Sequence, residues 1–474
     1  MTDLPWAQAH EIAEAVRSGR RTAASVIEAT LGRIAAVDPR INAFTAVTAE
    51  RARAEAAALD RAIAAGAAPG PLAGVPFAVK NLFDIKGLPT LCGSKINRDR
   101  TPASRDALLV ERLRAAGAIL VGALGMGEYA YDFTGENAHD GAVRNPHDPE
   151  RMSGGSSSGS GAATAAGMAP ISLGSDTNGS LRVPASLCGV FSLKPTYGRL
   201  PRTRTFSFVD SLDHLGPFAR SVRDLALAYD AMQGPDRGDH ACTRRGVEPA
   251  LPALADGPGR LRIGVPGGWF ETRYGPEARE AVGRVLQGLP GSGQIMRVDL
   301  DAAEAGRAAA YLITNSESAA FHIERLRSRA QDYDPDTRDR FLAGALLPAA
   351  WVARAQRVRA WWLTQALAAF SVADVLIVPA TPVPAPRRGE TVLELAGRKL
   401  PLRPSLGLLS QPFSCIGLPV VTVPVFRPGE LPIGVQIIAP PWREDLALKV
   451  GHALEARGVA TAHAPGGVPA QAVA

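Results

Sequence analysis

The sequence has few cysteines and no long hydrophobic segment. Its four cysteines, Cys92, Cys188, Cys242 and Cys415, lack the CxxC spacing typical of zinc and redox sites, so we expect free thiols. No apolar run approaches the roughly 18 residues that a membrane span needs. The N-terminal stretch also lacks the basic-then-apolar order of a signal peptide. These absences predict a cytoplasmic protein that does not enter a membrane.

Metal-binding patterns and blocks of like charge are absent as well. The eight histidines form no HExxH or HxH group, so we predict neither a metal site nor a cofactor. The 52 basic and 46 acidic residues are interspersed along the chain, which argues against a nucleic-acid-binding surface. Apolar residues are abundant instead: 46% of 474 residues are hydrophobic, enough for a large buried core.

Segments of helical periodicity alternate with short apolar segments typical of buried strands. Two or three helices open the chain, the last of the first pair ending at Pro39, and GVPFAVKN at 74–81 then predicts a buried strand. This alternation predicts an α/β fold. We expect one domain over 1–458, with a core at about 70–230, a helical subregion at about 302–371 and a disordered tail at 459–474.

Two runs of glycine and serine stand out from this pattern. MSGGSSSGSGAA starts at residue 152 and GSDTNGSLRVPA at 174, so that Ser156 and Ser180 are 24 residues apart. Either run alone is typical of a flexible loop. A phosphate-binding loop is a sharper alternative, but the Lys and Ser/Thr ending of a Walker loop is missing. An acyl-transfer site remains, in which serine is the nucleophile and a glycine-rich turn supplies N–H donors.

These runs and their surroundings resemble the amidase signature family. The resemblance rests on VPFAVKN, SGGSSSGSGAA, GSDTNGSLRVPASLCGVFSLKPTYGRL and the ending LPIGVQIIAPPWRED, and it covers nearly the whole chain. It implies the amidase signature fold, a mixed β-sheet with helices on both faces. It also implies a Ser, cis-Ser, Lys triad in which Ser180 is the nucleophile, Ser156 follows a cis peptide bond and bridges, and Lys80 is the base.

The physical demands on Lys80 agree with that role. A lysine accepts a proton only when it is neutral, and burial at the end of the apolar run GVPFAV would lower its pKa. Without the serine runs, Lys80 would be interpreted as a surface residue at a strand end. His214, in SLDHLGP, is another possible base, but the family uses no histidine there, and we predict a structural hydrogen-bonding role for it.

The resemblance further implies an oxyanion hole in the turn that precedes and includes the nucleophile. Backbone N–H groups of Thr177, Asn178, Gly179 and Ser180 would face the developing negative charge. The commonest family pattern has glycine where Asn178 and Ser158 stand. Because asparagine tolerates positive φ, we expect the turn to persist, with the Asn178 side chain at the rim of the substrate site.

The finer sequence pattern resembles the branch of this family that hydrolyses 1-carboxybiuret. It lies in DTNGSLRVPASLCG, FSFVDSLDHLGPFARS and TRDRFLAGALLPAAWVARAQRVR, and it implies an amidohydrolase that releases ammonia from a small ureido substrate. The alternatives are an amidase of another small ureido acid such as oxalurate, the glutamine-hydrolysing component of a tRNA amidotransferase, and a noncatalytic ligand-binding relative. An anionic substrate needs a cation, for which the candidates are Arg182, Arg204, Arg338 and Arg340.

The branch also implies a small accessory subunit. We therefore expect a homo- or hetero-oligomer. We predict that a short helical protein caps the helical subregion at 302–371 and closes the mouth of the site. Large apolar residues are crowded there, and we expect most of them to belong to the core: Leu346, Leu347, Trp351, Trp361 and Trp362.

Overall fold

A mixed β-sheet organises the part of the chain that the structure, a computed structural model, describes: residues 6–289 and 294–466. Its strands are β1 (Phe44–Val47), β2 (Pro76–Lys80), β3 (Ile119–Leu124), β4 (Ile171–Asp176), β5 (Phe191–Lys194), β6 (His214–Ala219), β7 (Ile263–Pro266), β8 (Ile295–Val298), β9 (Val375–Pro379), β12 (Val420–Val425) and β13 (Ile433–Ile438). Their order across the sheet is β1-β3-β2-β4-β6-β5-β12-β13-β9-β7-β8. A separate hairpin joins β10 (Val392–Leu395) to β11 (Arg398–Pro401).

Helices cover both faces of the sheet. On β12, Val421 and Val423 point towards Gly451 of one helix, whereas Thr422 points towards the side on which Ser186 of another helix lies. The helices are α1 (Ala9–Arg17), α2 (Ala23–Ile41), α3 (Ala49–Ala64), α4 (Leu108–Ala115), α5 (Ser158–Ala165), α6 (Arg182–Cys188), α7 (Val222–Met232), α8 (Pro276–Gly288), α9 (Ala303–Arg329), α10 (Pro335–Ala345), α11 (Ala349–Ala369), α12 (Leu402–Ser405), α13 (Gln411–Cys415) and α14 (Glu444–Ala456).

The central strands are apolar along their whole length because both of their faces are covered. Every residue of β2, β4, β12 and β13 is buried, and their sequences are rich in valine and isoleucine. Strands β2 and β4 run parallel, with Val79 opposite Leu173. The carboxyl ends of these two strands therefore meet at one edge, which brings Lys80 beside the start of the second glycine-serine run.

Most predicted elements occur, with local differences. Helix α2 continues through Pro39 to Ile41, where we expected it to end at the proline; Asn42 closes it in a left-handed conformation (φ 61°) with its N–H bonded to the Asp38 carbonyl. The predicted helical subregion contains α9, α10 and α11. No helix among the described residues is both long and apolar enough to cross a membrane.

Part of the predicted disordered tail packs on the body of the protein. Ala460 is fully buried, and the ring of His463 lies 4.5 Å from that of Phe426. Residues 467–474, the rest of that prediction, lie outside the described residues.

Candidate active site

Lys80, the last residue of β2, points into a cluster of three serine hydroxyls. Its Nζ lies 2.7 Å from Ser156 Oγ, 3.1 Å from Ser157 Oγ and 2.9 Å from Ser175 Oγ. The side chain is completely buried, which excludes the interpretation as a surface lysine. The first serine run therefore lies directly against the base that the sequence predicts.

Ser157 and Ser175 hold the lysine in place. The Ser157 hydroxyl donates to the Ser175 carbonyl oxygen at 3.0 Å, so its proton is engaged and its oxygen accepts from Lys80. With Ser157 fixed as an acceptor, a neutral Lys80 has one lone pair that is free to accept a proton from another hydroxyl. Ser156, at the shortest of the three distances, is placed to donate it.

Burial also sets the protonation state of Lys80. Removal from water lowers the pKa of its ammonium group to about 7, although the negative charges of Asp213 and Asp176 act in the opposite direction. A substantial fraction of Lys80 is therefore neutral near pH 7. This is the state in which it can act as a general base.

Ser156 reaches the lysine from the loop that precedes α5. The peptide bond between Gly155 and Ser156 is cis, as the resemblance implies. A side chain at position 155 would lie 2.6 Å from a carboxylate oxygen of Asp132, so only glycine fits before this serine.

The turn from Thr177 to Ser180 follows β4 directly and presents the second serine. Its positive φ belongs to Gly179 (143°) and not to Asn178, so the tolerance of asparagine for that conformation, on which we relied, is not what preserves the turn. A Cβ at Gly179 would lie 2.1 Å from Ser410 Oγ, which makes glycine necessary there. The Thr177 hydroxyl donates to the buried carboxylate of Asp213 and fixes the start of the turn.

A buried ion pair anchors the same turn from behind. The guanidinium of Arg182 contacts Asp176 through Nε and Nη2, each at 3.0 Å, and both side chains are fully buried. Although burial alone would raise it, the Arg182 charge holds the pKa of Asp176 well below its usual range. The Leu181 N–H also donates to Asp176. Arg182 is thus engaged by the protein itself and is not available to a substrate.

A cavity of about 80 Å³ opens over Ser180. Thr177 and Asn178 form part of its wall, together with Tyr131 and, from the helical subregion, Tyr311. Asn178 therefore lies where the sequence analysis expected it, at the rim of a candidate substrate site. Ser156 and Lys80 lie behind the nucleophile and are not part of the cavity wall.

The four candidate arginines separate clearly. Only Arg340 contributes to the wall of the cavity over Ser180. Arg204 and Arg338 each form an ion pair with an acidic side chain away from it, and Arg182 is buried behind the turn. Arg403 also lines the cavity, although no sequence pattern marks it.

His214 has the structural environment that we predicted. It starts β6, is buried, and its Nδ1 lies 3.0 Å from the Asp176 carbonyl oxygen and 2.6 Å from that of Leu212. Burial and the nearby Lys194 charge lower the pKa of its imidazole well below the usual value. It is a neutral donor to backbone oxygens beneath the turn.

Comparisons with known proteins agree with this geometry. The family model described as Amidase matches residues 25–448, most of the chain. The chain belongs to the amidase family. The predictions of family, fold class and amidohydrolase class are therefore confirmed.

Individual amidase-family relatives cover almost the whole chain. AtzE of Pseudomonas sp. (strain ADP), named as a component of 1-carboxybiuret hydrolase, is 55% identical over 95% of this chain and 98% of its own. A solved structure, described as a vestigial protein complex that reveals the evolutionary origins of an s-triazine catabolic enzyme, superposes with a TM-score of 0.94 at 53% identity and covers 96% of this chain and 100% of its own. The GatA-type component of glutamyl-tRNA(Gln) amidotransferase from Roseiflexus sp. (strain RS-1) is 36% identical over 96% of this chain and 97% of its own.

Several residues of this amidase-family site escaped the sequence analysis. Ser157 adjoins Ser156, and Ser175 ends the strand before the predicted turn, so both lie within the two runs already singled out. Tyr311 and Gln411, which line the cavity, come from segments more than 100 residues away, and no local pattern marks them. Among the described residues, no group of three or more His, Cys, Asp or Glu side chains is arranged to hold a metal ion.

Proposed function

We propose that the protein hydrolyses an amide bond of a small ureido acid through an acyl-enzyme on Ser180. Neutral Lys80 takes the proton of Ser156, and Ser156 takes that of Ser180 as the Ser180 oxygen attacks the carbonyl carbon. The proton then returns along the same chain to the departing nitrogen, which leaves as ammonia. The observation that carries this proposal is the 2.7 Å contact between Lys80 and Ser156, with the pKa of Lys80 lowered by burial to about 7.

In this proposal the turn at 177–180 supplies the oxyanion hole. No group among the described residues accepts a hydrogen bond from the backbone amides of Asn178, Gly179 or Ser180. Thr177 starts the same turn, held by its hydroxyl on Asp213. Free amide donors on a rigid turn suit the negative charge that develops on the substrate carbonyl oxygen. The same donors would serve again when water attacks the acyl-enzyme.

As substrate we propose 1-carboxybiuret. Its hydrolysis with one water gives urea-1,3-dicarboxylate and ammonia, because the terminal carbamoyl group is attacked and its nitrogen leaves. The relative that is 55% identical carries the name of this activity. The cavity over Ser180, about 80 Å³, is far below the roughly 300 Å³ at which pockets for drug-sized ligands begin, and it favours a substrate of few atoms.

A panel of amides tests this assignment. We expect ammonia release from 1-carboxybiuret with the highest kcat/KM among 1-carboxybiuret, biuret, oxalurate, allophanate and glutamine. Oxalurate as the best substrate would move the assignment to another ureido acid. Glutamine as the best substrate would favour the activity of the amidotransferase relatives that are 36% identical. The Ser180→Ala chain, prepared in parallel, controls for contaminating amidases.

The proposed chemistry draws its acid and base from side chains and calls for no cofactor. We place the enzyme in the cytoplasm, a proposal supported by its four cysteines, which are all free. A test is the distribution of activity between cytoplasmic and other fractions of the source cells.

We propose in addition that a small helical subunit binds the helical subregion. Three large apolar side chains are exposed there: Leu346 is 84% exposed, Trp351 56% and Trp361 49%. Our expectation that most of the apolar residues in this segment belong to the core is wrong for these three, since the buried face of α11 is formed by other residues, Trp362 among them. A similar solved structure is described as a protein complex, which supports a partner.

A further inference from the structure

Arg340, on α10, lines the cavity over Ser180 without a carboxylate of its own. Its Nε donates to the Asp336 backbone oxygen at 2.7 Å, its Nη2 donates to the Tyr131 backbone oxygen, and its guanidinium carbon lies 3.8 Å from the centre of the Tyr131 ring. Within the described residues, no carboxylate oxygen lies within 4 Å of its guanidinium nitrogens. The other arginine of the cavity wall, Arg403, is by contrast ion-paired with Asp132 and further carboxylates.

This difference matters because a positive charge taken from water costs free energy unless a negative charge compensates it. Backbone oxygens and the ring face of Tyr131 orient the Arg340 guanidinium but leave its charge without a counter-ion. Arg403 has that compensation from the protein. Arg340 therefore has the environment of a cation whose counter-ion is a ligand.

A second unsatisfied group lies in the wall of the same cavity. Asn178 donates from Nδ2 to Thr314 Oγ1 at 2.8 Å, while its Oδ1 is buried and has no hydrogen-bond partner in the described part of the chain. A buried acceptor left unpaired costs about 1 to 3 kcal/mol. The donation to Thr314, which α9 supplies, fixes the amide plane. The free oxygen is thus positioned for a donor that the protein does not provide.

We propose that these two groups select the substrate: Arg340 binds the carboxylate of a ureido acid, and Asn178 Oδ1 accepts a hydrogen bond from one of its N–H groups. This inference rests on the proposed function, since it assigns the two contacts to the ligand that Ser180 attacks. The cavity then recognises an N–H and a carboxylate together. Neutral amides satisfy only one of the two groups, and unsubstituted carboxylates only the other.

The test compares two substrates that differ in the carboxylate alone, 1-carboxybiuret and biuret. We expect Arg340→Gln to lower the ratio of kcat/KM for 1-carboxybiuret to kcat/KM for biuret by at least about tenfold, since a hydrogen bond to a charged group is lost. Arg338→Gln, a change of the same kind on the same helix at an arginine paired with Asp339, is the matched control and should keep the wild-type ratio. Equal losses on both substrates would show that Arg340 only supports the fold, and would overturn the proposal.

Binding to the Ser180→Ala chain provides a readout that does not depend on turnover. Isothermal titration should show 1-carboxybiuret binding at least about tenfold more tightly than biuret, with Arg340→Gln removing the difference. Equal binding of both compounds overturns the proposal even if the enzyme hydrolyses them. Failure of the wild-type chain to hydrolyse either compound, with selective binding intact, would instead contradict the proposed reaction.

Asn178 has its own test through Thr314. We expect Asn178→Ala to weaken binding of 1-carboxybiuret by about threefold or more, and Thr314→Val to weaken it less, because Thr314 acts by holding the amide. In the Asn178→Ala background, Thr314→Val should have no further effect. Additive losses in the double variant would assign Thr314 a role of its own and overturn this part of the proposal.

Discussion

The side-chain nitrogen of Lys80 lies 2.7 Å from the hydroxyl oxygen of Ser156, and no carboxylate within the described residues lies within 4 Å of that nitrogen. A lysine in direct contact with a carboxylate would be held in its charged form. Three hydroxyl groups surround Lys80 instead, and they accept from an ammonium group as readily as one of them donates to a neutral amine. The cluster thus accommodates both protonation states that a proton relay needs.

The first prediction concerns the pH dependence of kcat/KM. Burial lowers the pKa of Lys80 to about 7, and only the neutral form accepts a proton. The rate constant should therefore rise as pH increases through about 7 and level off above it. Initial rates between pH 5 and 9 measure this profile, and a kcat/KM that increases steadily from pH 7 down to pH 5 would contradict a neutral-lysine mechanism.

Asp213 allows the profile to be assigned to Lys80. Its charge raises the pKa of Lys80. Asp213→Asn keeps the shape of the side chain and can still pair with Thr177 and with the backbone N–H groups of Phe208 and Val209. The rise in kcat/KM should then move to lower pH. An unchanged midpoint would indicate that another group controls the profile.

The second prediction concerns the three residues of the proton relay. Ser180→Ala should abolish turnover, while Ser156→Ala and Lys80→Ala should each lower kcat by several powers of ten, because members of one relay act as a unit. Single-turnover and steady-state rates measure the losses, and circular dichroism should show that the fold persists. Ser160→Ala removes another buried hydroxyl, bonded to the Leu173 carbonyl, and is expected to retain most activity.

A Ser180→Ala enzyme with more than about a hundredth of the wild-type rate would contradict the nucleophile assignment. If Ser160→Ala were as damaging as Ser156→Ala, the losses would reflect packing of α5 and not proton transfer.

The sequence predicted those parts of the site that depend on local pattern. The apolar run before Lys80 indicated a buried strand end, and burial does lower the pKa of this lysine. The glycine-serine run after β4 indicated a special backbone path, which Gly179 adopts. The pairing of Lys80 with Ser156 came from the family resemblance, since no spacing rule predicts a contact between residues that are 76 positions apart.

The parts that the sequence could not predict depend on long-range register. Ser175 meets Lys80 because β2 and β4 pair in parallel with Val79 opposite Leu173, and a shift of one residue would turn Ser175 to the other face. The cavity wall likewise depends on how α9 and α10 pack over the turn. Exposure within α11 was also hidden, because apolar residues surround this helix on several sides and periodicity does not single out its buried face.

The third prediction concerns the ion pair of Asp176 and Arg182. Asp176→Asn leaves the Arg182 charge buried and unpaired, and should lower the free energy of unfolding by about 3 to 5 kcal/mol. Urea-induced unfolding measures the loss. Because the pKa of Asp176 is lowered by folding, its stabilising effect is present at neutral pH and is lost as pH falls below the usual range of aspartate.

The control for this experiment is an exposed ion pair. Glu28 and Arg53 contact each other at 2.6 Å on the surface, with about half of each side chain exposed. Glu28→Gln should change the free energy of unfolding by less than about 1 kcal/mol. Losses of similar size in the two variants would show that burial does not set the cost of breaking the Asp176 pair.

The last prediction concerns the exposed apolar residues of the helical subregion. If Leu346, Trp351 and Trp361 contact a small helical subunit, their triple replacement by serine removes two aromatic anchors from the interface. Truncating one such anchor typically costs about 2 kcal/mol or more, so the dissociation constant should rise by at least about 30-fold. Copurification of the tagged chain with coexpressed neighbouring gene products, followed by titration of any bound subunit, measures this.

Val247 provides the control, because it is 52% exposed in the loop between α7 and β7, outside the helical subregion. Val247→Ser removes an exposed apolar side chain without touching α10 or α11, and binding should remain at the wild-type level. The triple variant should still fold, since the packing of α11 depends on its buried face, where Trp362 bonds through Nε1 to the Pro412 carbonyl. A chain that is fully active alone and retains no small protein would contradict the accessory subunit. Retention of a small protein by the triple variant with unchanged affinity would place the interface elsewhere.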